Sequence, residues 1–186
     1  MRKEPFAMFS RNRCLIALAW LALATSAAVA HDFGRTATAE EIRLWDIDVR
    51  PDGAGLPQGS GTVARGRQLF NMTCFACHGE NGVGGIRDRL VGGIGSLASE
   101  NPVRTVGSYW PYATTLFDYI RRAMPYFAPG SLSDDDTYAL SAYILALNGF
   151  VAADAQLDRT SLLKLKMPNR DGFFTDPEFA ALKWPQ

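Results

Sequence analysis

The chain has 186 residues, nineteen basic and nineteen acidic, and 47% of them are apolar. That length supports one modest core, or one small domain with arms. The even charge balance removes any electrostatic case for a nucleic-acid partner.

In chain order, the first element is a leader. Arg2, Lys3, Arg11 and Arg13 flank an almost pure Leu/Ala/Ile/Trp stretch from Leu15 to Ala24, and Ala28-Val29-Ala30 follows with small residues at the positions a signal peptidase reads. The apolar stretch is short for a bilayer and no stop-transfer pattern follows it. Residues 1–30 are therefore expected to be a cleaved signal peptide, with the mature chain periplasmic and not inserted in a membrane. The competing reading is an uncleaved anchor. Cleavage removes four basic residues and Glu4, leaving fifteen basic against eighteen acidic, a net charge of −3. It also removes Cys14, so that Cys74 and Cys77 are the remaining cysteines. Residues 31–60 read as a Gly- and Pro-bearing N-terminal arm.

Residues 61–150 read as the functional domain. Thr62 is a candidate N-cap for a helix running to Asn71, with Val63, Leu69 and Phe70 apolar. Gly66 inside it costs about 1 kcal/mol against alanine, which makes sense where another helix crosses in contact. The chain then enters Cys74-Phe75-Ala76-Cys77-His78, the C-x-x-C-H pattern of covalent haem attachment. Two thiols three positions apart can each add to one vinyl group of a single haem, and the next residue, His78, supplies the proximal nitrogen. A redox dithiol would need a thioredoxin-like alternation of strands and helices, which is not visible. A zinc site would need four ligands, and the mature chain offers only Cys74, Cys77, His78 and a terminal His31.

Only His31 and His78 exist, so a bis-histidine haem is not expected, and a second C-x-x-C-H is absent. The distal ligand is then expected to be a thioether, which raises the reduction potential relative to a second nitrogen. Met72 lies two residues before Cys74 and cannot reach across the haem plane. Met124, just before a helix start, is favoured as the distal axial ligand, because in small cytochromes c the ligand methionine comes from the loop preceding the last core helix; Met167 is the alternative, and a water-bound iron or another ligand the remaining one. A glycine-rich loop from Gly79 to Gly95 is expected to wrap the proximal side and to offer an acceptor for the other nitrogen of His78.

Thr114 to Arg122 reads as a second helix. Arg121 and Arg122 at its end are either neutralisers of haem propionates or a solvated helix end. Tyr109, Trp110 and Tyr112 are expected near the haem edge. Ser133 caps a third helix, with Asp134, Asp135 and Asp136 at its positive end and Asp136 at the capping-box position. Leu140, Tyr143, Ile144 and Leu147 make one apolar stripe, expected to cross the Gly66–Phe70 face, and Asn148-Gly149 ends the helix. Residues 151–186 read as a largely irregular C-terminal extension rich in apolar side chains, among them Phe173, Phe174, Phe179 and Trp184. Such arms either wrap the domain or dock on another protein.

The C-x-x-C-H helix and the Met-Pro segment before Leu132-Ser133-Asp134-Asp135 resemble a class I cytochrome c. Three flanking phrases, Trp45 to Gly53, Gly107 to Thr115 and Met167 to Phe173, resemble the cytochrome c subunits of sulfite or sulfur dehydrogenases of the Sox type. The resemblance covers about residues 33 to 180. It implies an all-α class I cytochrome c fold of three to four helices around one haem, with long irregular arms. It also implies an electron-transfer subunit that accepts electrons from a molybdenum-cofactor subunit of the sulfite oxidase family and passes them to a downstream cytochrome or oxidase. The best-known Sox cytochrome subunit is larger and carries two haems, so this chain would be a one-haem relative. The alternative is a haem enzyme acting directly on a sulfur compound such as thiosulfate.

Overall fold

The computed structural model describes residues 34–177; the expected leader, His31, Phe179 and Trp184 lie outside the described residues. The described residues fall into two units, one ending at Glu41 and one beginning at Ile42. In the first, Arg35 pairs with Glu41, and the Arg35 guanidinium and the Thr38 amide together hold the Glu41 carboxyl down to about 2. A short helix, α1 (Ala39–Trp45), lies across the division and buries none of its residues.

The second unit is built on helices. In chain order come β1 (Ser60–Thr62), α2 (Val63–Thr73), α3 (Phe75–His78), α4 (Ala113–Ala123), α5 (Asp134–Leu147), β2 (Gln156–Asp158) and α6 (Arg159–Lys164). Thr62 caps α2 by accepting from the Arg65 amide at 3.1 Å, and Ser133 caps α5 by accepting from the Asp136 amide at 3.1 Å. Both starts were legible in the sequence. Helices α2 and α5 cross at Gly66, where an added Cβ would stand 1.9 Å from the Ala139 carbonyl oxygen. Phe70 and Tyr143 meet edge to face beside this crossing, with ring centroids 5.3 Å apart.

The structure differs from the sequence reading of α5 in two ways. Residues Thr137 to Leu145 are all buried, so the helix is enclosed on every side rather than along one stripe. The reason is that the flanking segments cover it: Val49 and Leu56 from before β1, and Leu157, Leu162 and Met167 from after α5, belong to the same core. The aspartate triplet also does more than favour the helix dipole. Asp134 accepts from Arg121, Asp135 accepts from the Ser60 amide, and the Asp136 carboxylate, at the capping-box position, binds Arg65. One helix start thus ties α4, β1 and α2 together.

The extension is partly regular. Strands β1 and β2 pair antiparallel, with Gly61 opposite Leu157, adding a small two-stranded ribbon to the otherwise helical class I cytochrome c fold. Asp158 and Ser161 form a reciprocal cap that starts α6 and holds the Asp158 carboxyl below its ordinary value. No helix among the described residues is long and apolar enough to cross a membrane.

Candidate haem-binding site

Helix α2 runs directly into the cysteine segment. The Cys74 amide donates to the Phe70 carbonyl at 2.9 Å, closing α2, and the Cys77 and His78 amides donate back to the Cys74 carbonyl at 3.1 and 2.9 Å. The resulting single turn, α3, presents both thiols and the imidazole from one short stretch. Cys74 and Cys77 are half-buried and free. Burial pushes the Cys74 thiol up, opposed by the Thr73 hydroxyl 3.4 Å from Cys74 Sγ.

The acceptor for His78 is the backbone carbonyl of Asp88, 2.8 Å from Nδ1. A carbonyl only accepts, so Nδ1 carries the proton and Nε2 keeps its lone pair, the tautomer a metal-ligating histidine requires. The loop that carries this carbonyl is folded back on the attachment turn. Gly84 donates to the His78 carbonyl and Arg87 to the Cys77 carbonyl, both at 2.9 Å, and Leu90 donates to Gly82 at 2.7 Å. Gly79 permits the return: its φ is +74°, and a Cβ there would stand 2.2 Å from the Gly84 carbonyl oxygen. The far end of the loop is fastened to α5 by Asn148, whose Oδ1 accepts from the Gly92 amide at 3.1 Å and whose Nδ2 donates to the Leu90 carbonyl at 3.3 Å. Sequence reading took Asn148 only as a helix stop; an asparagine at a C-cap is the signal, but its loop partners have none.

The three methionines among the described residues occupy different surroundings. Met72 is 77% exposed on α2. Met124 is half-buried and follows α4 directly, its amide donating to the Ile120 carbonyl at 3.1 Å, with Pro125 preventing a further turn. Met167 is 1% exposed within the apolar core.

The other residues expected near the cofactor have partners within the protein. Arg121 donates to Asp134 at 2.8 Å and to the Ile47 carbonyl at 3.1 Å. Arg122 grips Asp118 through two bonds of 2.8 and 2.5 Å, which raises the guanidinium above its ordinary value. Both guanidiniums are thus paired with acids on α4 and α5 while remaining partly exposed. Tyr109 packs on Phe173 and receives Arg104 over its ring, Trp110 packs on Tyr119, and Arg170 covers the Tyr112 ring at 4.2 Å. Tyr109 and Tyr112 thus also anchor part of the extension, while Trp110 packs on α4; Asn169 Nδ2 adds a bond to the Tyr109 carbonyl at 2.7 Å. Asp118 went unnoticed in the sequence, since a lone aspartate within a helix resembles any solvated charge.

The donor set fits a haem. Two free thiols, an imidazole with Nε2 available and a thioether at a helix end are the groups c-type attachment and His/Met ligation need. Val83 and Ile86 within the Gly79–Gly95 loop and Tyr126 and Phe127 after Met124 are exposed, and Thr114 Oγ1 is buried without a hydrogen-bond partner among the described residues. Among the described residues no group of three or more His, Cys, Asp or Glu side chains could hold a metal ion.

The family described as cytochrome c oxidase, cbb3-type, subunit III matches residues 61–144. The crystal structure of the sulfane dehydrogenase SoxCD from Paracoccus pantotrophus contains a similar chain, with a TM-score of 0.73 and 41% identity, covering 84% of this chain and 80% of that one. A thiosulfate dehydrogenase from Stutzerimonas stutzeri (strain A1501) is 31% identical over 90 residues, 47% of this chain but only 28% of that protein.

Proposed function

The chain belongs to the cytochrome c family, and from that premise we propose that it is a periplasmic electron-transfer subunit carrying one covalently bound haem. Cys74 and Cys77 form the thioether links, His78 is the proximal ligand and Met124 the distal one. The observation that carries the assignment is the 2.8 Å bond from His78 Nδ1 to the Asp88 carbonyl, beside two free thiols. It turns Nε2 outward as a ligand and holds the ring against rotation.

When bound, the haem supplies a one-electron iron couple. The chain's own residues do the rest. The Gly79–Gly95 loop fixes the imidazole, α2 and α5 give a rigid floor crossing at Gly66, and α4 delivers the thioether. Electron transfer needs no acid or base acting on a substrate. Electrons would come from a molybdenum-cofactor subunit of the sulfite oxidase family and leave to a downstream cytochrome or oxidase; the likeness to the SoxCD chain supports a sulfur-dehydrogenase setting. The leader over residues 1–30 supports export.

One observation favours a second reading. The thiosulfate dehydrogenase relative points to a haem enzyme acting on thiosulfate itself, although the shared region spans under a third of that protein. The two readings separate in one set of measurements on the exported protein. Electron transfer predicts a mass of polypeptide plus one haem, a Soret band, and reduction by sulfite or another reduced sulfur compound only when the molybdenum subunit is added. Reduction by thiosulfate with the cytochrome alone supports the enzyme reading, and a bare polypeptide mass overturns both.

A further inference from the structure

We propose that Asp118 is a positioning residue for Met124, acting by strapping the segment Ile47–Val49 across the end of α4; the proposal rests on Met124 being the distal ligand. Asp118 is 8% exposed, and its carboxylate is shared between two parts of the chain. Oδ1 accepts from the Val49 amide at 2.7 Å and from Arg122 Nε at 2.8 Å, and Oδ2 accepts from Arg122 Nη2 at 2.5 Å. One turn of helix therefore holds a buried backbone amide from 69 positions earlier in the chain.

The neighbouring arginine repeats the tie from its own side. Arg121 Nη1 donates to the Ile47 carbonyl at 3.1 Å while Nε holds Asp134 at the start of α5. Val49 is itself buried, and Gly55 packs so tightly over the segment that a Cβ there would stand 2.1 Å from the Asp48 carbonyl oxygen. Arg121 is thus fixed to the strap and to α5, and Arg122 to Asp118, which itself holds the strap, just before Met124, where the helix ends. A thioether is a weak, exchangeable iron ligand, and an external ligand enters when the segment bearing the thioether opens locally. A strap across that helix end restrains the opening. The carboxylate makes the restraint strong, because hydrogen bonds to a charged, mostly buried group are stronger than neutral ones and costly to leave unmade.

A purely structural staple would lower global stability without changing iron ligation in the folded protein. The control is Asp135, an exposed carboxylate whose bond to the Ser60 amide at 2.8 Å ties α5 to β1. The experiment measures three quantities on the ferric holoprotein: the rate of imidazole binding, the reduction potential and the long-wavelength band of methionine-ligated haem. Asp118→Ala is expected to bind imidazole about tenfold faster or more, as one lost charged hydrogen bond implies. Its potential falls and its band weakens, while Asp135→Ala matches wild type in all three. Arg122→Gln, which leaves the carboxylate bond to Val49 in place, gives a smaller change in the same direction and serves if Asp118→Ala does not fold. Imidazole binding at the wild-type rate in the folded variants, or equal acceleration in Asp135→Ala, overturns the positioning role. A band that survives Met124→Ala overturns the ligand assignment and the proposal with it.

Discussion

The Cβ position of Gly66 lies 1.9 Å from the carbonyl oxygen of Ala139, closer than any carbon can approach. The helix that delivers Cys74 and the central helix α5 are therefore in backbone contact, and the glycine is what permits it. Gly66→Ala gains about 1 kcal/mol of helix propensity but forces α2 and α5 apart. The expected net result is a loss of about 2 kcal/mol or more in urea denaturation. A variant as stable as wild type would mean the two helices are not in contact at this point.

Met124 and Met167 separate by what their removal costs. Met167 is 1% exposed in the core, so Met167→Ala should lose about 2–5 kcal/mol of stability while keeping the methionine–haem band. Met124→Ala should abolish that band and lower the reduction potential, with a smaller stability change because the residue is only half-buried. Ferric absorption spectra and denaturation curves of the two variants check both halves, and a reversed spectral result would move the distal ligand to Met167.

Asn148 joins α5 to the loop that bears the Asp88 carbonyl. Asn148→Ala strands the Gly92 amide and the Leu90 carbonyl, at an expected cost of about 1–3 kcal/mol. Amide hydrogen exchange should quicken at Gly92 before it quickens in α2. Unchanged protection at Gly92 would show that the loop is held by other bonds.

Alkaline pH should act through Tyr138. Its ring is fully buried, its hydroxyl donates to the Pro57 carbonyl at 2.8 Å, and burial pushes its ionisation up to about 12 from an ordinary 10. A folded-state value raised above the unfolded one gives stability that is complete below pH 10 and declines as pH rises towards 12. Denaturation midpoints should therefore fall across that window in wild type and fall less steeply in Tyr138→Phe. Equal slopes would exclude Tyr138 as the source.

The Cys74–His78 turn and the caps at Thr62 and Ser133 were readable from the sequence, because each depends on residues within about four positions or on a fixed chemical motif. Gly66 was readable only as a helix-interior glycine that calls for a close crossing, its partner Ala139 being supplied by the fold. The Met-Pro segment before Ser133 was readable in the same way. Other features were decided by folding alone: the Asp88 carbonyl behind His78, the Val49 amide on Asp118, the three destinations of Asp134, Asp135 and Asp136, and the enclosure of α5 on every side. A backbone carbonyl carries no side-chain signature, and a carboxylate looks the same whether it faces water or an amide 69 positions away. Local hydrogen bonding is written into neighbouring residues, whereas a long-range partner exists only once burial has brought distant segments together.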